Sequence, residues 1–173
     1  MVKNGKGGAN TNKNGLEYES KVDIEKEIKK ISKMNKKYKD VYEYSINNNN
    51  YIYTKKHGFN RYLEEEFNII QKDILSKQLL PDNLVINLTK KEFRFIEVKY
   101  QNVSGSTDEK IQTCGFKLRQ FNKLLKPLGF KVTYTYILNE WFQKDRYKDD
   151  LEYIKECGGD YYFNKCSKNI ICN

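Results

Sequence analysis

The chain has 173 residues, 38% of them hydrophobic and 32% charged, which is enough apolar matter for one sizeable core. No apolar run approaches the length of a membrane span, and the first fifteen residues lack the apolar stretch of a secretory signal, so a soluble cytoplasmic protein is expected. With 32 basic against 23 acidic residues the net charge is +9, which favours a polyanionic partner, most simply nucleic acid.

Taken in chain order, residues 1–15 are rich in Gly, Asn and Lys and read as a mobile arm. Leu16 to Lys33 carries Leu16, Val22, Ile24, Ile28 and Ile31 at roughly helical spacing. VYEYSI, four asparagines and YIYTKK read as strand, turn and strand, because Asn tolerates the left-handed backbone of tight turns. Asn60 to Lys77 reads as a helix with Leu63, Phe67, Ile70 and Ile74 on one stripe. An apolar hairpin spans Leu80–Tyr100. Asp108 to Leu125 reads as a further helix, 131–138 (KVTYTYIL) as a strand, and Asp149 to Cys157 as a short helix closed by Gly158 and Gly159. DYYFN (160–164) reads as a last strand, and residues 165–173 give no signal. Strands and helices interleave without repeats or a domain boundary. The expectation is therefore one α/β (α+β) domain over 1–173, with a central mixed β-sheet flanked by helices and a flexible N-terminal arm at about 1–14.

The Leu80–Tyr100 hairpin concentrates the chemistry. If residues Thr89–Glu92 form its turn, Leu88 faces Phe93, Leu84 faces Glu97 and Asp82 faces Lys99. Glu97 and Lys99, two apart on a strand, share a face. Asp82, Glu97 and Lys99 are then gathered on one side, while Ile96 and Val98 point into apolar packing on the other. A slip of one residue would send Asp82 away. Charges are costly to bury, and a metal site with a polarising cation is one reason to accept that cost. Two carboxylates hold Mg²⁺, a hard cation that keeps several waters. The ion lowers the pKa of a bound water and offsets charge on a phosphate, and a nearby lysine orients that water or steadies the transition state. Acid-x-Lys recurs at Glu27–Lys29 and Asp108–Lys110, but both lie in expected helices, where residues two apart diverge. The competing reading is a solvent-facing Glu and Lys on an edge strand.

Pro81-Asp82, fourteen residues, then Glu97-Val98-Lys99 resembles the motif of the PD-(D/E)XK nuclease superfamily. NGLEYE (14–19) looks like the Asn-Gly-x-x-aromatic-Glu entry of several restriction enzymes, and YQNVSGSTDEKIQT (100–113) is similar to a loop and helix start of small type II restriction endonucleases. The likeness covers roughly residues 7–140. It implies a restriction-endonuclease-like core of helix, three strands, helix and strand. It also implies that Asp82, Glu97 and the main-chain carbonyl of Val98 bind Mg²⁺, with Mn²⁺ as a substitute. Lys99 would assist the attacking water, and Glu19, or alternatively Glu17, would be the auxiliary acidic residue. Lys110 and Gln112 would face the DNA. The products would carry 5′-phosphate and 3′-hydroxyl ends.

Other features are weaker. Lys117, Arg119 and Lys123 on the 108–125 helix are candidates to track phosphates, or a solvated face. His57, the only histidine, reads as a surface loop residue, which disfavours nucleases built on several histidines. GKGG at Gly5–Gly8 lacks the ending and preceding strand of a phosphate loop, and no organic cofactor is expected. No pair among Cys114, Cys157, Cys166 and Cys172 is spaced like a zinc knuckle, so free thiols are expected. Trp141, Phe142 and most of the fourteen tyrosines read as core and sheet residues. The leading expectation is a Mg²⁺-dependent, sequence-specific endonuclease of double-stranded DNA, acting as a homodimer. A structure-specific nuclease and a DNA-binding module that does not cleave remain as alternatives.

Overall fold

A seven-stranded sheet in strict chain order forms the middle layer of the protein, as seen in a computed structural model that describes residues 7–103 and 107–172, with side chains for 14–103 and 109–172. The strands are β1 (Asn35–Tyr38), β2 (Val41–Ile46), β3 (Asn49–Thr54), β4 (Asn83–Asn87), β5 (Glu92–Lys99), β6 (Lys131–Leu138) and β7 (Asp160–Phe163). Neighbours from β1 to β5 run antiparallel, whereas β5–β6 and β6–β7 run parallel. The sheet is mixed and helices flank it, so the class is α/β. Parallel neighbours need a crossover. Helices α5 (Thr107–Ile111) and α6 (Cys114–Leu125) make the first, and α7 (Lys148–Glu156) makes the second.

Each face of the sheet carries its own core. On one face Leu84, Ile86, Phe93, Phe95, Tyr134 and Tyr136 pack with Phe59, Tyr62 and Leu63 of α3 (His57–Phe67) and with Leu118, Phe121 and Leu124 of α6. Phe95 and Phe121 stack with ring centroids 3.5 Å apart. On the other face Tyr44, Tyr51, Tyr53, Val85, Ile96, Val98 and Ile137 pack with Tyr18 of α1 (Gly7–Lys21) and with Ile24 and Ile28 of α2 (Ile24–Ile31). Ile170 and Ile171 of a short C-terminal helix, Lys168–Cys172, complete that layer. Central strands covered on both faces explain why β5 is buried almost throughout, Glu92 and Arg94 included. The tyrosines expected in sheet and core lie there, as does Phe142, and Trp141 is half-buried against the first core.

The β2–β3 hairpin turns on Asn47 and Asn48, both at positive φ (49° and 62°), the backbone of a two-residue hairpin loop. Three expected helices are each broken in two. The first begins already at Gly7, inside the segment read as an arm, and is interrupted because the Asp23 side chain accepts from the Lys26 N–H at 3.1 Å and starts α2. The second starts at His57 and stops at Asn68, whose φ of 53° lets its N–H close on the Glu64 carbonyl; a single turn, α4 (Gln71–Ile74), follows. The third divides at Gln112–Thr113, where the Thr113 hydroxyl caps the Lys110 carbonyl at 2.7 Å. Strand β6 matches its expected bounds, whereas β1 and the C-terminal helix were not expected. Met1 to Lys6, Ser104 to Ser106 and Asn173 lie outside the described residues, so the first six residues of the expected arm and the middle of the 100–113 segment are not placed.

Gly58 fixes how α3 sits on the sheet. A Cβ there would stand 2.2 Å from the Thr54 hydroxyl and 2.4 Å from the Asp40 carbonyl, a hydrogen-bonded pair themselves. The helix can approach β2 and β3 this closely only without a side chain.

Candidate functional site

The β4–β5 hairpin pairs Asn87 with Glu92 through Asn83 with Ile96. Its turn is therefore Leu88–Lys91, and the register lies two residues from the one expected. Asn87 ends the strand early because its side chain accepts from the Lys90 N–H at 2.9 Å, and Lys91 closes the loop at φ 53°. Continued one step beyond β4, this register sets Asp82 beside Glu97 instead of Lys99. A shift of two preserves the face, so Asp82, Glu97 and Lys99 still converge.

They do so at the end of the sheet, on the side that bears Phe93 and Phe95. The Lys99 ammonium lies 2.5 Å from Glu97 Oε1 and 3.4 Å from Asp82 Oδ2, bridging the two carboxylates. Two lysines from outside the hairpin complete the cluster. Lys56, in the turn between β3 and α3, donates to Asp82 Oδ1. Lys117, one turn into α6, donates to Glu97 Oε1 at 2.6 Å and Oε2 at 2.5 Å. The Tyr134 hydroxyl on β6 donates to Glu97 Oε2. All four oxygens of the carboxylate pair thus accept a hydrogen bond. Only 17% of the Lys99 side chain is exposed, against 54% for Lys56.

Burial raises the Asp82 pKa, but Lys99 and Lys56 outweigh it and hold the carboxyl below its ordinary value. Burial pushes Lys99 the other way, and Glu97 and Asp82 more than restore it, so the amine sits above its usual value. Glu19 on α1 feels both carboxylates and both of the lysines Lys56 and Lys99. Its pKa is raised, first by burial and then by Asp82, with the two lysines opposing. It lines a cleft of about 280 Å³ together with Lys56, Asp82 and Val98. Glu17, the alternative, is exposed on the same helix and does not line this cleft. The Val98 side chain is buried in the opposite core, as expected for a residue between two that face the site.

The structure divides the expected DNA-facing residues. Lys117 is drawn inward to Glu97. Arg119 and Lys123 on the same helix are exposed, as is Lys110 on α5. Gln112 is also exposed but donates to Asp150 at 2.9 Å, tying the break between α5 and α6 to α7. His57 is exposed at the start of α3.

Sequence reasoning missed Lys56 and Tyr134. Tyr134 becomes legible only once β6 is known to lie parallel beside β5. Lys56 is held by a backbone at φ 48°, ψ −123°, a region costly for any side chain, and by its own N–H on the Pro81 carbonyl at 2.8 Å.

Asp82 and Glu97 offer oxygen donors alone, and a cation already stands between them in the Lys99 ammonium. Charge and donor type thus fit Mg²⁺ or Mn²⁺, ions commonly held by one or two carboxylates with waters and substrate phosphates. Among the described residues no group of three or more His, Cys, Asp and Glu side chains is gathered as a metal site. The four cysteines are free thiols. No helix among the described residues is long and apolar enough to cross a membrane. Set against family models, curated proteins and solved structures, the chain matches none.

Proposed function

We propose that this protein is a Mg²⁺-dependent, sequence-specific endonuclease of double-stranded DNA, with a restriction-endonuclease-like core and of type II restriction type. The observation that carries the reading is the bridging of Asp82 and Glu97 by Lys99 at the end of a central strand, in a chain of net charge +9. The core motif resembles that of the PD-(D/E)XK nucleases, and the convergence of its three residues supports the likeness.

In this reading Asp82, Glu97 and the Val98 carbonyl would hold the metal, which when bound would supply an activated water and offset charge on the scissile phosphate. Lys99 acts as a fixed ammonium. It is planted on a strand and held from two sides, so it orients the attacking water and meets negative charge as the phosphate becomes five-coordinate. Tyr134 fixes the rotamer of Glu97 through its hydroxyl. Glu19, at the cleft rim, orders water beside Asp82. Cleavage leaves 5′-phosphate and 3′-hydroxyl ends. Cutting both strands of a symmetric site calls for a homodimer, since a two-fold protein matches a palindromic sequence.

Digestion of plasmid DNA with and without Mg²⁺ tests the proposal. Discrete fragments are expected. Cutting confined to branched DNA would instead indicate a structure-specific nuclease, and binding without Mg²⁺-dependent cleavage a non-cleaving module. Asp82→Asn, Glu97→Gln and Lys99→Met should each lower the cleavage rate by about a hundredfold or more while duplex binding survives. Normal rates in all three would remove the assigned site.

A further inference from the structure

Lys56 and Lys117 occupy the oxygens that a metal would need. Asp82 Oδ1 accepts from Lys56, and both oxygens of Glu97 accept from Lys117. Lys99 cannot withdraw far, because it rises from the middle layer of the fold with 17% of its side chain exposed. The other two differ. They reach in from a turn and from a helix on the solvent side, with 54% and 28% of their side chains exposed. Long flexible ammonium side chains at such positions swing outward at small cost. A divalent cation between Asp82 and Glu97 would repel both strongly at this range.

We infer that Lys56 and Lys117 are exchangeable counter-ions, which neutralise Asp82 and Glu97 in the resting protein and pass to backbone phosphates when metal and duplex arrive together. The inference rests on the nuclease reading and adds a coupling to it. Metal entry frees two phosphate-binding cations, and phosphates draw those cations off the metal ligands. Each ligand must therefore strengthen the binding of the other by the same factor.

The test is fluorescence anisotropy of a labelled random-sequence duplex at constant ionic strength, in EDTA and in Ca²⁺, a hard cation for the same oxygens. In the wild type Ca²⁺ should tighten duplex binding by about tenfold, within the usual range of such couplings. The Lys56→Met/Lys117→Met double variant should bind equally in both conditions, whereas the Lys56→Arg/Lys117→Arg variant should keep the tightening. Circular dichroism melting confirms folding of each, and the single variants Lys56→Met and Lys117→Met, each expected to lose part of the tightening, carry the test should the double variant fail to fold. Simple neutralisation of the carboxylates by Ca²⁺ would tighten the Met variant as much as the wild type and would overturn the handover. A wild type that binds duplex identically in EDTA and Ca²⁺, yet cuts plasmid in Mg²⁺, would overturn the coupling and leave the nuclease reading intact. Absence of duplex binding in either condition would overturn both.

Discussion

Lys99 and Asp82 both owe their charge state to their neighbours. Burial favours the neutral form of both; Lys99 and Lys56 reverse this for Asp82, and Glu97 and Asp82 reverse it for Lys99. Asp82 therefore supports the fold with a defined pH signature. Its folded pKa lies below the ordinary 3.8, so its contribution is complete above that value and is lost as pH falls through the lower folded value. Urea midpoints of wild type and Asp82→Asn, compared across acid pH, should converge below pH about 4 and separate above it. A constant difference at every pH would contradict the pairing. At this scale the site was partly legible. Asp82, Glu97 and Lys99 stand out because charges interrupt an apolar hairpin. Lys56 does not, because its reach to Asp82 depends on a positive φ that no pattern of residue types announces.

Among the elements, existence and type were easier to read than joints. Strand β6 shows itself because TYTYIL is rich in β-branched and aromatic residues and follows the turn that closes at Gly129. The joints depend on single residues: the side chains of Asp23, Asn87 and Thr113 bond to backbone, and Asn68 takes a positive φ, and each ends or begins an element the periodicity runs straight through. The two-residue error in the hairpin register has this origin, and it left the site intact only because strands repeat every two residues. Glycines allow a sharper test of element packing. Gly58→Ala should destabilise the protein by about 1–3 kcal/mol, since the new methyl meets Thr54 and the Asp40 carbonyl. Gly15→Ala, on α1 with open space around it, should stabilise by about 0.5–1 kcal/mol. Chemical denaturation distinguishes the two signs.

Across the whole molecule, the two faces of the sheet do different work. One carries the candidate site at its rim. The other carries a buried ion pair, in which Arg94 donates to Glu92 Oε2 at 2.8 Å through Nε and to the Asn169 and Ile170 carbonyls at 3.0 and 3.3 Å. The Tyr44 hydroxyl joins it by donating to the Ile171 carbonyl at 2.8 Å. These bonds anchor the C-terminal helix to the middle of the sheet, a role invisible in a nine-residue tail too short to show periodicity. Arg94→Met leaves the buried Glu92 with only the exposed Lys131 ammonium, 3.5 Å away, and should lower stability by about 3 kcal/mol in thermal or urea unfolding. Below its melting temperature the variant should cut DNA at the wild-type rate, because the pair faces away from Lys99. Loss of cutting in a folded Arg94→Met protein would show that the two faces are not independent.

The chain-ordered sheet has one more consequence, for how copies of this protein meet. Its outermost strands, β1 and β7, have four residues each, against eight in β5 and β6. β1 is also irregular between Lys36 and Tyr38 and carries adjacent lysines. Neither border offers enough unpaired backbone, free of charge, for a second molecule to extend the sheet strand by strand. In the proposed nuclease, a dimer that straddles a duplex would have to join through helices or loops, and its two centres would then be spaced by side-chain packing and not by the regular pitch of a shared sheet.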